Sequence, residues 1–391
     1  MLFKKISEIT LNNKKVFIRC DMNTPIQDGV ITDNTRILAS IPTIKYAVDH
    51  GARVIVATHL GRPHDGVCDN NFSIKPIRDE LAKCLGVDIP IITDIAQKID
   101  FTQSKVVILE NVRCNIGEKE NNLELGEKYA ALCDVFVYDA FATAHRKEAS
   151  TNAIGLYTKE VCAGILMSEE LEALAKISLN TTHPIVAIIG GSKVSTKLTI
   201  LNNLSDKVDV LIVGGGILNT FLKANGVNIG KSLSEDNLVM DAKNILQKMI
   251  SRGKQLLLPK TVVVADKVTI DANAQEVSVD DISENDMILD IGVDFALQIA
   301  NILDSAGTII WNGPLGVFEI DKFANGTKIV ANAIASSNGF TLAGGGDTIS
   351  AINKFHLSDR IDYISTGGGA LLEFLEGKRL PAIELLEQKS I

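Results

Sequence analysis

Two lysines that follow a pair of glycines near the middle of the chain are suited to binding an anion. The stretch from Gly190 to Lys197 reads Gly-Gly-Ser-Lys-Val-Ser-Thr-Lys and lies between an apolar run and leucines at helical spacing. This pattern predicts a strand, a glycine turn and a helix that begins near Ser192, with Lys193 and Lys197 on one face of its first turn. Cations there oppose the helix dipole and repel each other, whereas a bound anion would reverse both effects. The alternative is two solvated lysines on a helix that begins elsewhere.

Cationic and polar side chains follow four short apolar runs in the first half of the chain. The runs predict parallel strands and cover residues 16–19, 54–57, 106–109 and 135–138. The residues that follow them are Asp21, Asn23 and Arg36, then His59 and Arg62, then Arg113, and finally His145 and Arg146. Because the carboxyl ends of parallel strands share one edge of a sheet, we expect these side chains to converge there.

The repeated placement of arginine or histidine at one sheet edge carries more weight than any one of these residues. Taken singly, each histidine fits a loop residue with local hydrogen bonds, and each arginine fits a surface charge. Arginine binds planar anions through paired bonds, and each charge-assisted bond is worth about 1.5–3 kcal/mol. Four successive strands with this pattern predict a site for a small, strongly anionic molecule.

Glycine loops take the place of the arginines in the second half of the chain. Apolar runs at 210–213, 308–310, 340–342 and 363–364 precede the loops Gly214-Gly-Gly216, Trp311-Asn-Gly-Pro-Leu-Gly316, Gly344-Gly-Gly346 and Gly367-Gly-Gly369. Glycine lets backbone amides approach a phosphate closely, so these loops predict a ligand with a polyphosphate and a flat base. Neither the Walker pattern nor the dinucleotide glycine pattern occurs at these loops, which disfavours a P-loop or a nicotinamide site.

Asp347 follows one of these glycine loops directly, and two interpretations are open. Its side chain could cap a helix over residues 349–355, which is a common role for aspartate. Alternatively, its carboxylate could bind a magnesium ion at the nucleotide phosphates, because hard cations prefer oxygen ligands. The neighbouring glycine loops favour the magnesium site.

The chemistry of the chain changes near residue 171, since most of the 30 glycines lie after it. Between the halves, Ser168-Glu-Glu-Leu-Glu-Ala-Leu-Ala-Lys predicts a helix that Ser168 caps. We therefore predict an α/β fold with two doubly wound, parallel-sheet (Rossmann-like) domains joined by a hinge helix. The expected domains are residues 1–170 and 171–391.

Composition excludes several classes of protein. The chain has 391 residues, 46% of them hydrophobic, and a net charge of −9, which argues against a nucleic-acid-binding or membrane-binding surface. The absence of a signal-like start and of long apolar runs predicts a cytoplasmic protein. The scattered cysteines are predicted to be small buried thiols rather than disulfides or zinc ligands; they are Cys20, Cys68, Cys84, Cys114, Cys133 and Cys162.

Eight short strings, in order along most of the chain, resemble those of phosphoglycerate kinases. In the first half they are Arg19-Cys-Asp-Met-Asn-Thr-Pro25, His59-Leu-Gly-Arg-Pro63, Leu109-Glu-Asn-Val-Arg113 and Asp139-Ala-Phe-Ala-Thr-Ala-His-Arg146. In the second half they are 190–197, Trp311-Asn-Gly-Pro-Leu-Gly-Val-Phe-Glu319, Gly344-Gly-Gly-Asp-Thr348 and Gly367-Gly-Gly369. Each string alone is weak evidence, whereas eight in the same order are specific.

The resemblance implies a monomeric two-domain kinase that moves a phosphoryl group between 1,3-bisphosphoglycerate and Mg-ADP, giving 3-phosphoglycerate and ATP. It implies that the first domain binds the glycerate through Asp21, Asn23, Arg36, His59, Arg62, Arg113 and Arg146. It implies that the second domain binds the nucleotide through Lys197, Asn312, Glu319, Gly345, Gly346, Asp347 and Thr348, with Asp347 at the magnesium ion. It also implies that residues from about 376 to 391 pack back on the first domain.

The implied reaction needs no general base, because both possible acceptors are already anionic. Catalysis would rest on positioning and on neutralising charge at the transferred group; the residues expected to do this are Arg36, Lys193, Lys197, Gly346 and Gly369. Arg36 and Lys197 come from different domains, so transfer would require closure about a hinge near residues 168–177. Two departures from the family pattern, Ala142 for glycine and Thr196 for aspartate, affect fine geometry only.

Two alternatives come from other classes of function. One is a different carboxylate kinase or a nicotinamide dehydrogenase, although the missing dinucleotide pattern opposes the dehydrogenase. The other is a catalytically silent nucleotide sensor or scaffold on the same fold. A silent protein would be expected to lack at least one of Arg36, Lys197 and Asp347, and all three are present. We expect no nucleic-acid or membrane partner.

Overall fold

The chain divides into two compact units in the computed structural model, which describes residues 2–179 and 181–390. The first unit comprises Met1–Glu172 and Arg379–Ile391, and the second comprises Ala173–Lys378. The chain leaves the first unit inside the helix Ile165–Lys176 and returns just before the helix Pro381–Gln388.

The first unit contains a six-stranded parallel sheet and a short hairpin. Its strands are β1 Lys15–Cys20, β2 Ile26–Gln27, β3 Val30–Ile31, β4 Arg53–Ala57, β5 Ile91–Ile92, β6 Val106–Leu109, β7 Val135–Asp139 and β8 Glu160–Ala163. The sheet order is β5-β6-β4-β1-β7-β8, and β2 pairs with β3. The central strands are buried along nearly their whole length, which explains their continuous apolar sequences. The four predicted strands are confirmed, and they are consecutive neighbours in the sheet.

The second unit contains another six-stranded parallel sheet and a three-stranded antiparallel sheet. Its strands are β9 Ile185–Ile189, β10 Val210–Val213, β11 Gln255–Leu257, β12 Thr261–Ala265, β13 Gln275–Ser278, β14 Met287–Ile291, β15 Thr308–Asn312, β16 Phe340–Gly344 and β17 Tyr363–Ser365. The parallel order is β11-β10-β9-β15-β16-β17, and the antiparallel order is β13-β12-β14. The predicted α/β class with two doubly wound sheets is confirmed, whereas the antiparallel sheet was not predicted.

Thirteen α-helices accompany the sheets in the part of the chain that the structure describes. They are α1 Thr35–Asp49, α2 Lys75–Leu85, α3 Leu123–Ala131, α4 Ile154–Tyr157, α5 Ile165–Lys176, α6 Leu198–Lys207, α7 Gly215–Ala224, α8 Val239–Ser251, α9 Val293–Asp304, α10 Asn325–Ser336, α11 Gly346–Lys354, α12 Gly369–Leu375 and α13 Pro381–Gln388. Over these described residues, no helix has the length and apolar character needed to cross a bilayer.

The last helix, α13, belongs to the first unit. The backbone N–H of Ala382 donates to the carbonyl of Ala144 at 3.2 Å. At the other end, Nζ of Lys389 donates to the carbonyls of Leu156 at 3.2 Å and Thr158 at 3.0 Å. These bonds hold the end of the chain against the turn that follows β7 and against the segment before β8.

The helix between the halves, α5, begins earlier than predicted. It starts at Ile165, so Ser168 lies inside it and is not its cap. The hydroxyl of Ser168 donates to the carbonyl of Gly164 at 2.7 Å, as a serine inside a helix often does. The Oδ1 atom of Asp139 accepts from the N–H of Met167 at 3.0 Å, so an aspartate distant in sequence provides the acceptor at this helix start. The prediction of Ser168 as the cap is wrong for this reason.

The cysteine prediction is also partly wrong. Cys68 and Cys114 form a disulfide, with their Cα atoms 5.1 Å apart. Because β4 and β6 are neighbours, the loop after β4 and the turn after β6 lie side by side, although the two cysteines are far apart in sequence. The other four cysteines are free thiols, of which Cys20 and Cys162 are buried while Cys84 is exposed.

Candidate active site

An ion pair and a histidine lie together at the carboxyl edge of the first sheet. Asp21 directly follows β1, and its Oδ2 atom accepts from Nη1 of Arg36 at 2.5 Å. His59 follows the neighbouring strand β4, and its Nδ1 atom lies 3.7 Å from Oδ1 of Asp21. Arg36 comes from the first turn of α1. Parallel pairing of β1 with β4 places Asp21 near His59, and the ion pair with Asp21 brings Arg36 of α1 to the same point.

The backbone of Gly61 is held from two sides. Its N–H donates to Oδ1 of Asn23 at 2.9 Å, and its carbonyl accepts from Nη1 of Arg113 at 3.0 Å. Gly61 has a φ of +61°, a left-handed conformation that glycine adopts readily. Arg62 comes next and is exposed; among the described residues, no hydrogen bond ties its side chain to this cluster. The loop is therefore fixed while its arginine faces solvent.

Arg113 is buried and paired with a carboxylate that the sequence did not single out. It lies in a short 3₁₀ turn, Val112–Cys114, which two residues separate from the end of β6. Its Nη2 atom donates to Oε1 of Glu148 at 3.0 Å. Burial lowers the pKa of Arg113, and the Glu148 charge opposes that shift. Arg146 is half-buried, and its Nε atom donates to Nε2 of His145 at 3.3 Å.

His59 is a neutral side chain inside a positively charged site. Its pKa lies well below the usual value, first because it is buried and then because of the charges of Arg19, Arg113, Arg146 and Arg36. Nη2 of the buried Arg19 donates to Nδ1 of His59 at 3.4 Å. Because a guanidinium only donates, Nδ1 accepts and Nε2 carries the proton. The arginines therefore carry the positive charge of the edge, and His59 provides a neutral donor.

In the second unit, the candidate residues lie where the sheet order reverses. That reversal falls between β9 and β15, the position at which open α/β sheets bind ligands. Nζ of Lys197 donates to the carbonyl of Gly190 at 2.5 Å and to Oδ1 of Asn312 at 2.5 Å. It also donates to the carbonyl of Asn312 at 3.0 Å, and Nδ2 of Asn312 donates to the carbonyl of Gly344 at 2.7 Å. Lys197 and Asn312 together thus link the carboxyl ends of β9, β15 and β16.

The two lysines do not share the first turn of a helix, so that prediction is wrong. Helix α6 begins at Leu198, and Lys197 occupies the cap position before it. The preceding residues form a turn in which the N–H and hydroxyl of Ser195 donate to Glu235 at 2.8 and 2.6 Å. Because this distant carboxylate fixes the turn, the residues before Lys197 do not join the helix. Lys193 is exposed, whereas Lys197 is half-buried.

Burial changes the acidity of Lys197. Desolvation lowers its pKa to about 8, and the charge of Asp347 acts in the opposite direction. Asp347 is exposed in the first turn of α11, which begins at Gly346, with Gly345 at the cap position. The interpretation of Asp347 as the cap of a helix over 349–355 is therefore wrong. The buried hydroxyl of Thr348 donates to the carbonyl of Gly344 at 2.8 Å and accepts from the N–H of Gly313 at 2.7 Å.

The remaining candidate residues follow the carboxyl ends of β15, β16 and β17. Gly346 and Gly369 are the first residues of α11 and α12, so their amides lie at positive helix ends. Glu319 is exposed beyond the loop that follows β15, and its carbonyl accepts from Nζ of Lys354 at 3.3 Å. Within the described residues, no cluster of three or more His, Cys, Asp or Glu side chains could hold a metal ion. A magnesium ion here would take protein oxygen from Asp347 and further oxygens from phosphates and water.

Comparison with known proteins agrees with this architecture. The family model described as phosphoglycerate kinase matches residues 6–378. The chain belongs to the phosphoglycerate kinase family. Its structure is similar to that of the phosphoglycerate kinase from Coxiella burnetii, with 47% identity, a TM-score of 0.97 and 100% of both chains covered. The phosphoglycerate kinase from Pyrococcus horikoshii OT3 is similar at 32% identity, with a TM-score of 0.81 and 99% of both chains covered. The predicted family, fold class and kinase activity are confirmed.

Sequence reasoning missed the buried partners of the site arginines. The hydroxyl of Ser150 accepts from the buried guanidinium of Arg19 and donates to Glu118. Glu148 pairs with Arg113. An arginine inside the apolar run of β1 was a usable signal, because a buried charge needs partners. Glu118 and Glu148 gave no signal, since both lie in polar stretches where acidic residues are normally exposed.

Proposed function

We propose that the first unit binds 3-phosphoglycerate or 1,3-bisphosphoglycerate, that the second binds ATP or ADP, and that a phosphoryl group passes reversibly between them. The observation that supports this most is the cluster of Asp21, Arg36 and His59 at the edge of four adjacent strands. An edge lined with arginine suits a small molecule that carries both a carboxylate and a phosphate.

The glycerate would meet charged and neutral donors in the first unit. Arg36, Arg62 and Arg146 are accessible enough to bind its anionic groups. Among the described residues, the buried Nε of Arg113 lacks a hydrogen-bond partner, and a bound anion would supply an acceptor. Neutral His59, together with Asn23 and the carboxylate of Asp21, would bind the hydroxyl-bearing part of the ligand.

The nucleotide would lie along the glycine loops of the second unit. The amides of Gly345 and Gly346 at the start of α11 are suited to a phosphate, and Thr348 and Asn312 hold that loop in place. Glu319 is exposed on the rim, where it is available to the ribose hydroxyls. Asp347 would hold the magnesium ion that accompanies ATP or ADP, and the ion would neutralise phosphate charge.

Catalysis would depend on charge neutralisation rather than on a base. Arg36, Lys193 and Lys197 would contact the transferring phosphoryl group, and the amides of Gly346 and Gly369 would add donors at its oxygens. The ammonium group of Lys197 is already desolvated, which strengthens its interaction with an anion. In other phosphoryl-transfer enzymes a cation at this position is worth about 10³–10⁵ in rate.

We further propose that the two ligands meet through closure of the units about α5, since each ligand would be held by a different unit. Closure would also exclude water from a hydrolysable acyl phosphate. Small-angle scattering with and without both substrates tests this, because a smaller radius of gyration is expected only in the ternary complex. Superimposable profiles would exclude closure as the trigger.

We propose that the protein acts as a cytoplasmic monomer, without nucleic-acid partners. The family resemblance supports the monomer, and the net charge of −9 disfavours binding to polyanions. Light scattering at working concentration checks the monomer, since a dimer would double the measured mass.

The direct test is formation of ADP from Mg-ATP with 3-phosphoglycerate. The parent protein should turn over, and Lys197→Ala should lose about 10³-fold or more in kcat while it remains folded by its thermal transition. Lys207→Ala is the matched control, because Lys207 lies exposed in the last turn of the same helix. Binding of both ligands without turnover in the parent would favour the silent sensor instead.

The role of Asp347 has a separate test. Asp347→Asn removes the charge at nearly constant volume, so the variant should need about tenfold more Mg²⁺ for half-maximal turnover at fixed ATP. Asp359→Asn, in the turn before β17, is the control. An unchanged Mg²⁺ requirement would remove Asp347 from the metal site.

A further inference from the structure

Glu118 is a fully buried carboxylate in a part of the first unit that the proposed chemistry does not use. It lies in the segment between β6 and α3, with no exposed surface. Its Oε1 atom accepts from the hydroxyl of Ser150 at 2.5 Å, and its Oε2 atom accepts from the Ser150 N–H at 3.1 Å. A buried carboxylate whose two oxygens both accept hydrogen bonds is held in one orientation.

The Ser150 hydroxyl connects Glu118 to a buried arginine. Its oxygen accepts from Nε of Arg19 at 2.9 Å. Because a guanidinium can only donate, the serine must accept from Arg19 and direct its single proton to Glu118. The direction of both hydrogen bonds is therefore fixed by chemistry.

Arg19 connects this pair to the ligand edge. Its Nη1 atom donates to the carbonyl of Cys20, and its Nη2 atom donates to Nδ1 of His59 at 3.4 Å. The second bond makes Nδ1 of His59 an acceptor and leaves Nε2–H as the donor available to a ligand. A continuous chain of hydrogen bonds thus runs from Glu118 through Ser150 and Arg19 to His59.

We propose that Glu118 is a positioning residue for the anion site: through Ser150 and Arg19 it holds His59 as the neutral Nε2–H tautomer that binds the glycerate. The inference rests on the proposed function of the first unit. Glu118 has no exposed surface with which to touch a ligand, so it acts only through the orientation of its neighbours.

The charges around Glu118 agree with this role. Burial raises the pKa of Glu118 to about 7, whereas the Ser150 bonds and the charge of Arg19 lower it. The charge of Glu148 raises the pKa further, and Tyr129 of α3 is the other titratable group that faces it. Protonation of Glu118 near neutrality would remove one acceptor from the Ser150 backbone and loosen the chain. Affinity for the glycerate should accordingly weaken as the pH falls below about 7.

The kinetic test uses Glu118→Gln and Ser150→Ala, with Ser150→Thr as the variant that restores the hydroxyl. Both disruptive variants should raise the KM for 3-phosphoglycerate about tenfold, the loss expected for one hydrogen bond to a charged group. The KM for Mg-ATP should stay within about twofold, and Ser150→Thr should recover most of the loss. Glu124→Gln is the control, because Glu124 is an exposed glutamate on α3.

The pH profile separates positioning from a general loss of stability. At each pH, the kcat/KM of the parent for 3-phosphoglycerate is divided by that of Glu118→Gln. Because both proteins use the same ligand, titration of the ligand does not affect this ratio. This ratio should rise between about pH 6 and 8 and then level off. Suppose instead that Glu118→Gln raises the KM for 3-phosphoglycerate and the KM for Mg-ATP equally, and that the ratio of kcat/KM does not change with pH. Glu118 would then have a merely structural role, and the inference would be overturned.

A spectroscopic test does not depend on turnover. Nitrogen-15 NMR of histidine, with the His59 signal assigned through His59→Gln, should show the neutral Nε2–H tautomer in the parent and a tautomer mixture in Ser150→Ala. If the parent shows no kinase activity but Ser150→Ala changes the His59 tautomer, the proposed function fails while the proposed role of the hydrogen-bond chain stands. If the parent is active and the His59 signal is the same in Ser150→Ala, the proposed role of the hydrogen-bond chain is wrong.

Discussion

Arg113 and Glu148 form an ion pair at 3.0 Å in which only 6% and 8% of the two side chains are exposed. Arg113 lies after β6, and Glu148 lies in the segment between β7 and α4. Because β4 and β1 lie between β6 and β7 in the sheet, the pair spans the centre of the first sheet. Charges this deeply buried require each other, because neither is well solvated. The pair therefore fixes the Arg113 guanidinium before any ligand arrives.

Removal of one partner of this pair should be costly. Glu148→Ala leaves a buried guanidinium without its carboxylate, and we expect a loss of about 3–5 kcal/mol in the unfolding free energy of the first unit. Denaturant unfolding measures the loss. Glu124→Ala breaks the exposed pair between Glu124 and Lys128 and should cost at most about 0.5 kcal/mol. Equal losses in the two variants would contradict the buried character of the Arg113 pair.

The lowered pKa of Lys197 predicts a pH dependence in the nucleotide half-reaction. The ammonium form is needed to bind an anion, and its pKa in the folded protein is about 8. The kcat/KM for Mg-ATP should therefore fall as the pH rises from about 8 to 9.5, whereas Lys197→Arg should be less active but flat over that range. A parent profile that stays level up to about pH 9.5 would rule out this assignment.

The lowered pKa of Lys197 also makes the stability of the folded protein depend on pH. Because the pKa is lowered on folding, the unfolded chain binds more protons at this site than the native protein between about pH 8 and 10.5. The Lys197 contribution should therefore make the parent more stable relative to Lys197→Met as the pH rises through that window. Denaturant unfolding of both proteins at several pH values measures the difference.

The Cys68–Cys114 disulfide predicts the number of reactive thiols. Under denaturing conditions without reductant, a thiol reagent should detect four cysteines, since the other two are paired. Reduction should lower the thermal midpoint, because a bridge between residues 46 apart is typically worth about 2–4 kcal/mol. Cys84→Ser, which leaves the bridge intact, should not change that response. Detection of six thiols would instead restore the prediction made from the sequence.

The backbone of Gly345 lies too close to Asn312 to accept a side chain without a shift, and substitution by alanine tests this. Its φ is +100°, and a Cβ atom there would lie 2.9 Å from Nδ2 of Asn312, the side chain that anchors Lys197. We expect Gly345→Ala to raise the KM for Mg-ATP about tenfold, since the phosphate-binding loop must shift. Gly253→Ala is a matched control, with a φ of +68° and no atom within 4 Å of the added methyl. A KM for Mg-ATP in Gly345→Ala that stays as low as in Gly253→Ala would contradict a steric role for this position.

The sequence by itself determined the strands and the edges where chemistry occurs. Apolar runs such as 106–109 and 210–213 coincide with β6 and β10 residue for residue, because strands inside a parallel sheet are apolar on both faces. The convergence of Asp21, Arg36 and His59 followed from the same reasoning, since residues after parallel strands share one edge. Local pattern was sufficient for both features.

Tertiary structure alone decided the features that depend on partners distant in sequence. Glu235 fixes the turn around Ser195 and so delays the start of α6, and Asp139 provides the acceptor at the start of α5. The adjacency of β4 and β6 brings Cys68 to Cys114. Polar groups at helix ends and inside cores must find hydrogen-bond partners, and those partners are selected by three-dimensional packing rather than by neighbouring residues.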